Sequence, residues 1–318
     1  MAVNPITAPY VPPGSPRQTG SDWGEHSSFQ FEGWQCHWRQ LGPTSGEPLV
    51  LLHGFGASSG HWRANASGLA AAGFCVFAID LLGFGLSDQP GIALDNRLWS
   101  RQLQHFLRLV VGRPAVLVGN SIGGLVALTT AVFAPELVQA VVAAPLPDPT
   151  LLSPMASRSA PWKRRLQRWL VQLFSRLAPL RPLIALLRQP ALLRIGIASA
   201  YAKRERIDTE LVRLIQRPAT RPSAARALAG MVRGMGLRPA AATAPRLLPR
   251  LKKPLLLLWG SQDRLVPPLI AERVMQHSPT GICELRWLNN LGHCPHDEDP
   301  QRFNQALIEW LRRSTAST

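Results

Sequence analysis

The chain has 318 residues of which 46% are hydrophobic, enough to bury a large core and too apolar for a disordered chain. Its formal charge of +16 is concentrated: residues 148–253 hold 22 Lys/Arg against 4 Asp/Glu and the remainder 13 against 15, which argues against a uniformly basic nucleic-acid-binding surface. The four cysteines, Cys36, Cys75, Cys283 and Cys294, show neither C-x-x-C nor Cys/His ligand spacing, so no disulfide framework or structural metal site is expected.

The opening stretch is rich in Pro and Gly and lacks the basic-then-apolar order of a secretory signal, predicting a flexible arm over 1–26. Alternation over 27–42 predicts a strand or hairpin, and the continuous apolar run 48–56 a strand buried on both faces. Then come a helix over 61–73, a strand over 74–80, an amphipathic helix over 97–111 and a strand over 114–120. A helix over 125–134 and a strand over 137–145 complete the first part of the core, 27–147. The rhythm resumes in 251–318 with strands over 254–260 and 283–289 and helices over 268–277 and 301–313. Such alternation predicts an α/β fold whose mostly parallel central sheet carries helices on both faces.

Residues 148–250 break this rhythm: Arg, Leu, Pro and Ala dominate, no strand pattern is visible, and an inserted helical lid is predicted. Within it, 162–177 places Trp162, Trp169 and Phe174 on an apolar stripe with Arg164, Arg165 and Arg168 largely opposite. That pattern suits a lid helix that contacts substrate or lies on an anionic membrane surface.

Four chemical features fall at predicted strand ends. Gly119-Asn120-Ser121-Ile122-Gly123 matches the G-x-S-x-G turn that exposes a nucleophilic serine between a strand and a helix. His53-Gly54-Phe55-Gly56 ends an earlier strand, where the N–H of Phe55, with that of Ile122, would bind a developing oxyanion. Asp263 follows the strand 254–260 and is the expected orienting acid, with Asp148 as the alternative. His293 lies between the last strand and the last helix as general base, and neighbouring His296 is expected behind the site or on the surface.

Together, LLHGFGAS, AIDLLGFGLSD, VGNSIGG, WGSQDRLVP and LGHCPHDE resemble the α/β-hydrolase superfamily over 30–313. The stretch 61–88, the Asn before the serine and GHCPHDEDP resemble more closely its pheophytinase and chlorophyll dephytylase group. The resemblance implies a cofactor-free serine esterase with Ser121, Asp263 and His293 as triad, cleaving the phytyl ester of a chlorophyll-type pigment. Asn120, which marks the subgroup, joins Trp162, Trp169 and Phe174 as an expected substrate contact. The expected partners are a small apolar ester and, through the basic lid, an anionic membrane, but no nucleic acid. The expected location is cytoplasmic, at the periphery of a thylakoid-type membrane. The same triad would also serve a general carboxylesterase or lipase-like enzyme, a carbon–carbon bond hydrolase or a cofactor-free haloperoxidase. A non-catalytic membrane-associated binding protein is the reading from another class.

Overall fold

The computed structural model describes residues 20–152, 169–173 and 180–315. Its centre is an eight-stranded sheet of order β1-β2-β4-β3-β5-β6-β7-β8. The hairpin β1 (Glu25–Phe31) and β2 (Trp34–Leu41) forms one edge and pairs antiparallel with β4 (Cys75–Ile79). From there β3 (Pro48–Leu52), β5 (Ala115–Gly119), β6 (Val138–Ala143), β7 (Leu255–Gly260) and β8 (Cys283–Leu288) run parallel.

β3, β4, β5 and β7 are buried at every residue, which is why each reads as an unbroken apolar run. Their alternate side chains feed two cores. Val50, Leu52, Phe77, Leu117 and Trp259 face one that contains Trp99 and Phe106 of α2 (Asn96–Phe106) and Leu125 and Leu128 of α3 (Ile122–Phe133). Leu49, Leu51, Val76, Val118 and Leu258 face the other, filled by Trp62, Leu69 of α1 (Ala66–Ala71) and Phe303, Leu307 and Trp310 of the last helix, Pro300–Thr315.

Two expectations change here. Trp23, within the expected arm, is fully buried and its indole N–H donates to the Ser59 carbonyl at 3.3 Å, and Glu25 and His26 already belong to β1. The single helix expected over 61–73 is divided into a 3-10 turn, Ser59–Trp62, and α1. The break directs Arg63 towards the acids described below, and Asn65 holds it by exchanging hydrogen bonds of 2.9 and 3.0 Å with Asn304.

Between β6 and β7 the chain builds the expected insertion, and its described residues are helical without a strand. Its helices are Leu180–Leu187, Pro190–Ala198, Thr209–Ala219, Ala224–Leu237 and the short Ala244–Leu247. Asp148, the alternative acid, fastens the ends of this insertion together: its carboxylate pairs with Arg238 at 2.8 Å and accepts the N–H of Ala244 at 2.7 Å.

Candidate active site

Ser121 sits between β5 and α3 with φ 53° and ψ −121°, a conformation that costs a residue with a Cβ of order 1–3 kcal/mol. The glycines around it answer to close packing. A Cβ on Gly119 would lie 2.2 Å from the Gly123 carbonyl carbon, and one on Gly123 2.4 Å from the Leu52 oxygen. Ile122 opens α3, so its N–H has no acceptor within the helix and lies at the positive end of the helix dipole.

Asp263 and His293 follow β7 and β8 and meet directly, with His293 Nδ1 2.9 Å from Asp263 Oδ2. The other carboxylate oxygen accepts the N–H groups of Leu265 and Val266, each at 2.9 Å, which fixes the acid's orientation. With Nδ1–H donated to the carboxylate, the imidazole keeps Nε2 for proton exchange. Ser121, Asp263 and His293 are all buried, at 8%, 4% and 7% exposure.

Asn120 explains how the serine turn and the histidine loop are held in register. Its amide NH2 donates to the Ala144 carbonyl at 2.5 Å and to the His293 carbonyl at 3.0 Å. Both protons are therefore committed to the main chain, and Asn120 ties the two loops together. His53 plays the matching part on the opposite loop. It is fully buried, its Nδ1 faces the Gly54 carbonyl at 2.8 Å and its Nε2 accepts the Leu81 N–H at 3.1 Å, while burial holds its pKa below the ordinary value. The adjacent Phe55 ring is 61% exposed and meets Phe84 edge-on, and Leu265, beside Asp263, is 50% exposed. Of the expected lid contacts, Trp169 is exposed, and Trp162 and Phe174 lie outside the described residues.

The insertion grips the histidine loop itself. The His293 N–H donates to the Ala200 carbonyl at 2.7 Å. Glu298, 2% exposed, accepts the Gly292 N–H at 2.8 Å through one oxygen and those of Ala202 and Lys203 at 2.8 and 2.9 Å through the other. Burial raises its pKa, and these main-chain donors offset only part of the effect. Gly292 is required for this approach, since a Cβ there would stand 2.6 Å from the Ala200 oxygen.

A second tie runs through Arg63. Its guanidinium pairs with buried Asp297 at 3.0 Å and with Asp208 and Glu210 of the insertion at 2.8 and 3.1 Å. Burial alone would raise the pKa of Asp297, but His61 and the paired Arg63 pull it below its ordinary value. Tyr201 donates to Asp297 at 3.0 Å and meets His61 Nε2 at 2.8 Å. His296, expected behind the site or on the surface, is fully buried against Trp62 and His61. Sequence reasoning passed over Arg63, Tyr201 and Glu298; the acidic run immediately after His293 was the visible signal for Glu298. A separate groove of about 590 Å³, between α1 and the last helix, shares no residue with this site.

A sequence profile described as "Alpha/beta hydrolase family" matches residues 49–306, from within β3 into the last helix. The chain belongs to the alpha/beta hydrolase family. Among curated relatives, this hydrolase is 28% identical over 288 residues to the 2-hydroxy-6-oxononadienedioate/2-hydroxy-6-oxononatrienedioate hydrolase of Burkholderia vietnamiensis, covering 88% of this chain and 91% of the relative. It is 25% identical over 357 residues to the chloroplastic pheophytinase of Arabidopsis thaliana, covering 96% of this chain and 71% of the relative. Among solved structures, Cfl2 of Burkholderia cenocepacia superposes with a TM-score of 0.75 at 23% identity, covering 93% of this chain and 99% of the other, a likeness of fold.

Proposed function

We propose that this hydrolase is a serine esterase acting on an apolar carboxylic ester. The observation that carries the reading is Ser121, held at φ 53° at the head of α3 and tethered through Asn120 to the loop whose histidine pairs with Asp263 at 2.9 Å. In the reaction, Ser121 Oγ attacks the ester carbonyl carbon as its proton passes to His293 Nε2. The N–H groups of Phe55 and Ile122 receive the carbonyl oxygen as it becomes negative, a contribution of about 2.7–4 kcal/mol per donor in studied enzymes. Collapse breaks the bond to the alcohol oxygen, which leaves with the proton held by His293. Water, deprotonated by the same imidazole, then attacks the acyl-serine, releases the acid and restores Ser121.

The exposed Phe55 and Leu265 beside the oxyanion donor and the acid favour an apolar substrate. The resemblance to pheophytinase makes the phytyl ester of a chlorophyll-type pigment the leading candidate. Hydrolysis of a 2-hydroxy-6-oxo-dienedioate, the compound class in the name of the Burkholderia relative, is the second reading, with the same triad cleaving a carbon–carbon bond. Purified protein assayed against p-nitrophenyl esters of increasing chain length, pheophytin a and a 2-hydroxy-6-oxo-dienedioate separates them. Rates that rise with ester length and include pheophytin support the first reading. Turnover of short esters alone removes the pigment, and turnover of the dienedioate alone replaces the ester reading with the second.

A further inference from the structure

The helices Leu180–Leu187 and Pro190–Ala198 form a hairpin with two apolar sides. One is spent inside the molecule: Leu180 and Ile197 are buried, and Leu193 packs on the cluster of Ile197, Tyr201 and Leu211. The other faces outward, with Leu183, Leu186 and Leu187 spaced as one helical stripe and Leu192 and Ile195 as another, at 38–68% exposure. Grouped exposed aliphatic side chains of this kind mark an interaction surface.

The charge around the hairpin identifies its partner. Exposed Arg181 lies at its start and exposed Arg188 at the turn between its helices, while Arg194 on the second helix donates to the Ile207 carbonyl and the Thr209 hydroxyl at 2.9 and 3.3 Å. Between Asp148 and Glu205 the sequence has 11 Lys/Arg and not one Asp or Glu. Aliphatic stripes flanked by arginine, without an acid within the segment, match a bilayer, where leucines enter the acyl boundary and guanidinium groups meet lipid phosphates. The hairpin also leads directly into Ala200–Lys203, the stretch that accepts the His293 N–H and is held by Glu298.

We infer that the hairpin 180–198 is a membrane-docking surface for anionic phospholipid. It brings the insertion, and with it the loop of His293, to the lipid interface. The inference stands whichever bond is cleaved at Ser121, and its test reads binding and not turnover.

The test is co-sedimentation of the full chain with phosphatidylglycerol-containing or pure phosphatidylcholine vesicles, at low and high salt. The wild type is expected to bind the anionic vesicles, to bind phosphatidylcholine at least tenfold more weakly, and to be released by salt. L186D/I195D and R181E/R188E, all on exposed positions, should each lower anionic-vesicle binding at least tenfold with an unchanged thermal midpoint. A wild type that stays in solution with anionic vesicles overturns the inference. So does binding that both variants retain, and so does tighter, hairpin-dependent retention on DNA. A dimer that L186D/I195D dissociates, in a protein that ignores vesicles, assigns the face to a second copy and equally overturns it.

Discussion

Glu298→Gln probes the grip of the insertion on the catalytic loop. The carboxylate accepts three main-chain N–H groups, two from the insertion and one from Gly292, the residue before His293. Hydrogen bonds to a charged acceptor contribute about 1.5–3 kcal/mol each, and neutral ones about 0.5–1.5. Glutamine offers one oxygen. Turned towards Ala202 and Lys203, it places an NH2 against the Gly292 N–H, losing one charged bond and weakening two. Turned the other way, it loses two. By these values the first arrangement costs about 3.5–6 kcal/mol and the second, in which the remaining bond is also weakened, about 4–7.5 kcal/mol of stability at a site that is 2% exposed. The displaced loop also carries His293, the proposed general base, and misplacement of a reacting group by about 1 Å can cost about 100-fold in rate. Urea unfolding, together with kcat and KM for p-nitrophenyl butyrate, measures both effects. Glu298→Gln is expected to lower the unfolding midpoint and to reduce kcat about 10–100-fold, with KM changed less than about threefold. Wild-type stability and wild-type kcat in this variant would refute the reasoning.

Three further outcomes follow from the same geometry. Arg63→Met leaves the Asp297 carboxylate buried without its 3.0 Å partner and should destabilise the fold by about 3–5 kcal/mol in urea unfolding. Asp263→Asn removes the acceptor that orients His293 Nδ1–H and should lower kcat about 10⁴-fold, with far-UV circular dichroism unchanged. Burial holds His61 neutral, with its pKa lowered from 6.5 to about 4, and burial likewise lowers that of His296. Between pH 6.5 and 4 the unfolded chain therefore binds protons that the native state refuses, so stability falls as pH falls through this window. The loss from His61 alone reaches about 3 kcal/mol at the acid end, and thermal midpoints measured across the window should decline steadily.

How much of this was legible in the sequence depended on the range of the interaction. The parallel strands were visible because burial on both faces demands unbroken apolar runs such as PLVLL and CVFAI. Ser121, Asp263 and His293 stood out because each lies in a local motif at the end of a strand. What joins the insertion to the core was not visible. Arg63 meets Asp208 and Asp297 across 145 and 234 residues of chain, and charged side chains announce no periodicity by which such partners could be matched. The helix expected over 61–73 divides at that same tertiary demand, since Asn65 and Asn304 lock the break. The hydrogen bonds of Asn120 were not legible either. Only the folded chain brings the Ala144 and His293 carbonyls within reach of its amide.

The central claim is that Ser121 is the nucleophile, and covalent trapping tests it most directly. A fluorophosphonate incubated with the protein, followed by peptide mass analysis, is expected to place a single phosphonyl adduct on Ser121. Ser121→Ala should take up no label and turn over no ester while keeping the wild-type thermal midpoint. An adduct on another residue, or ester turnover retained by Ser121→Ala, would contradict the account.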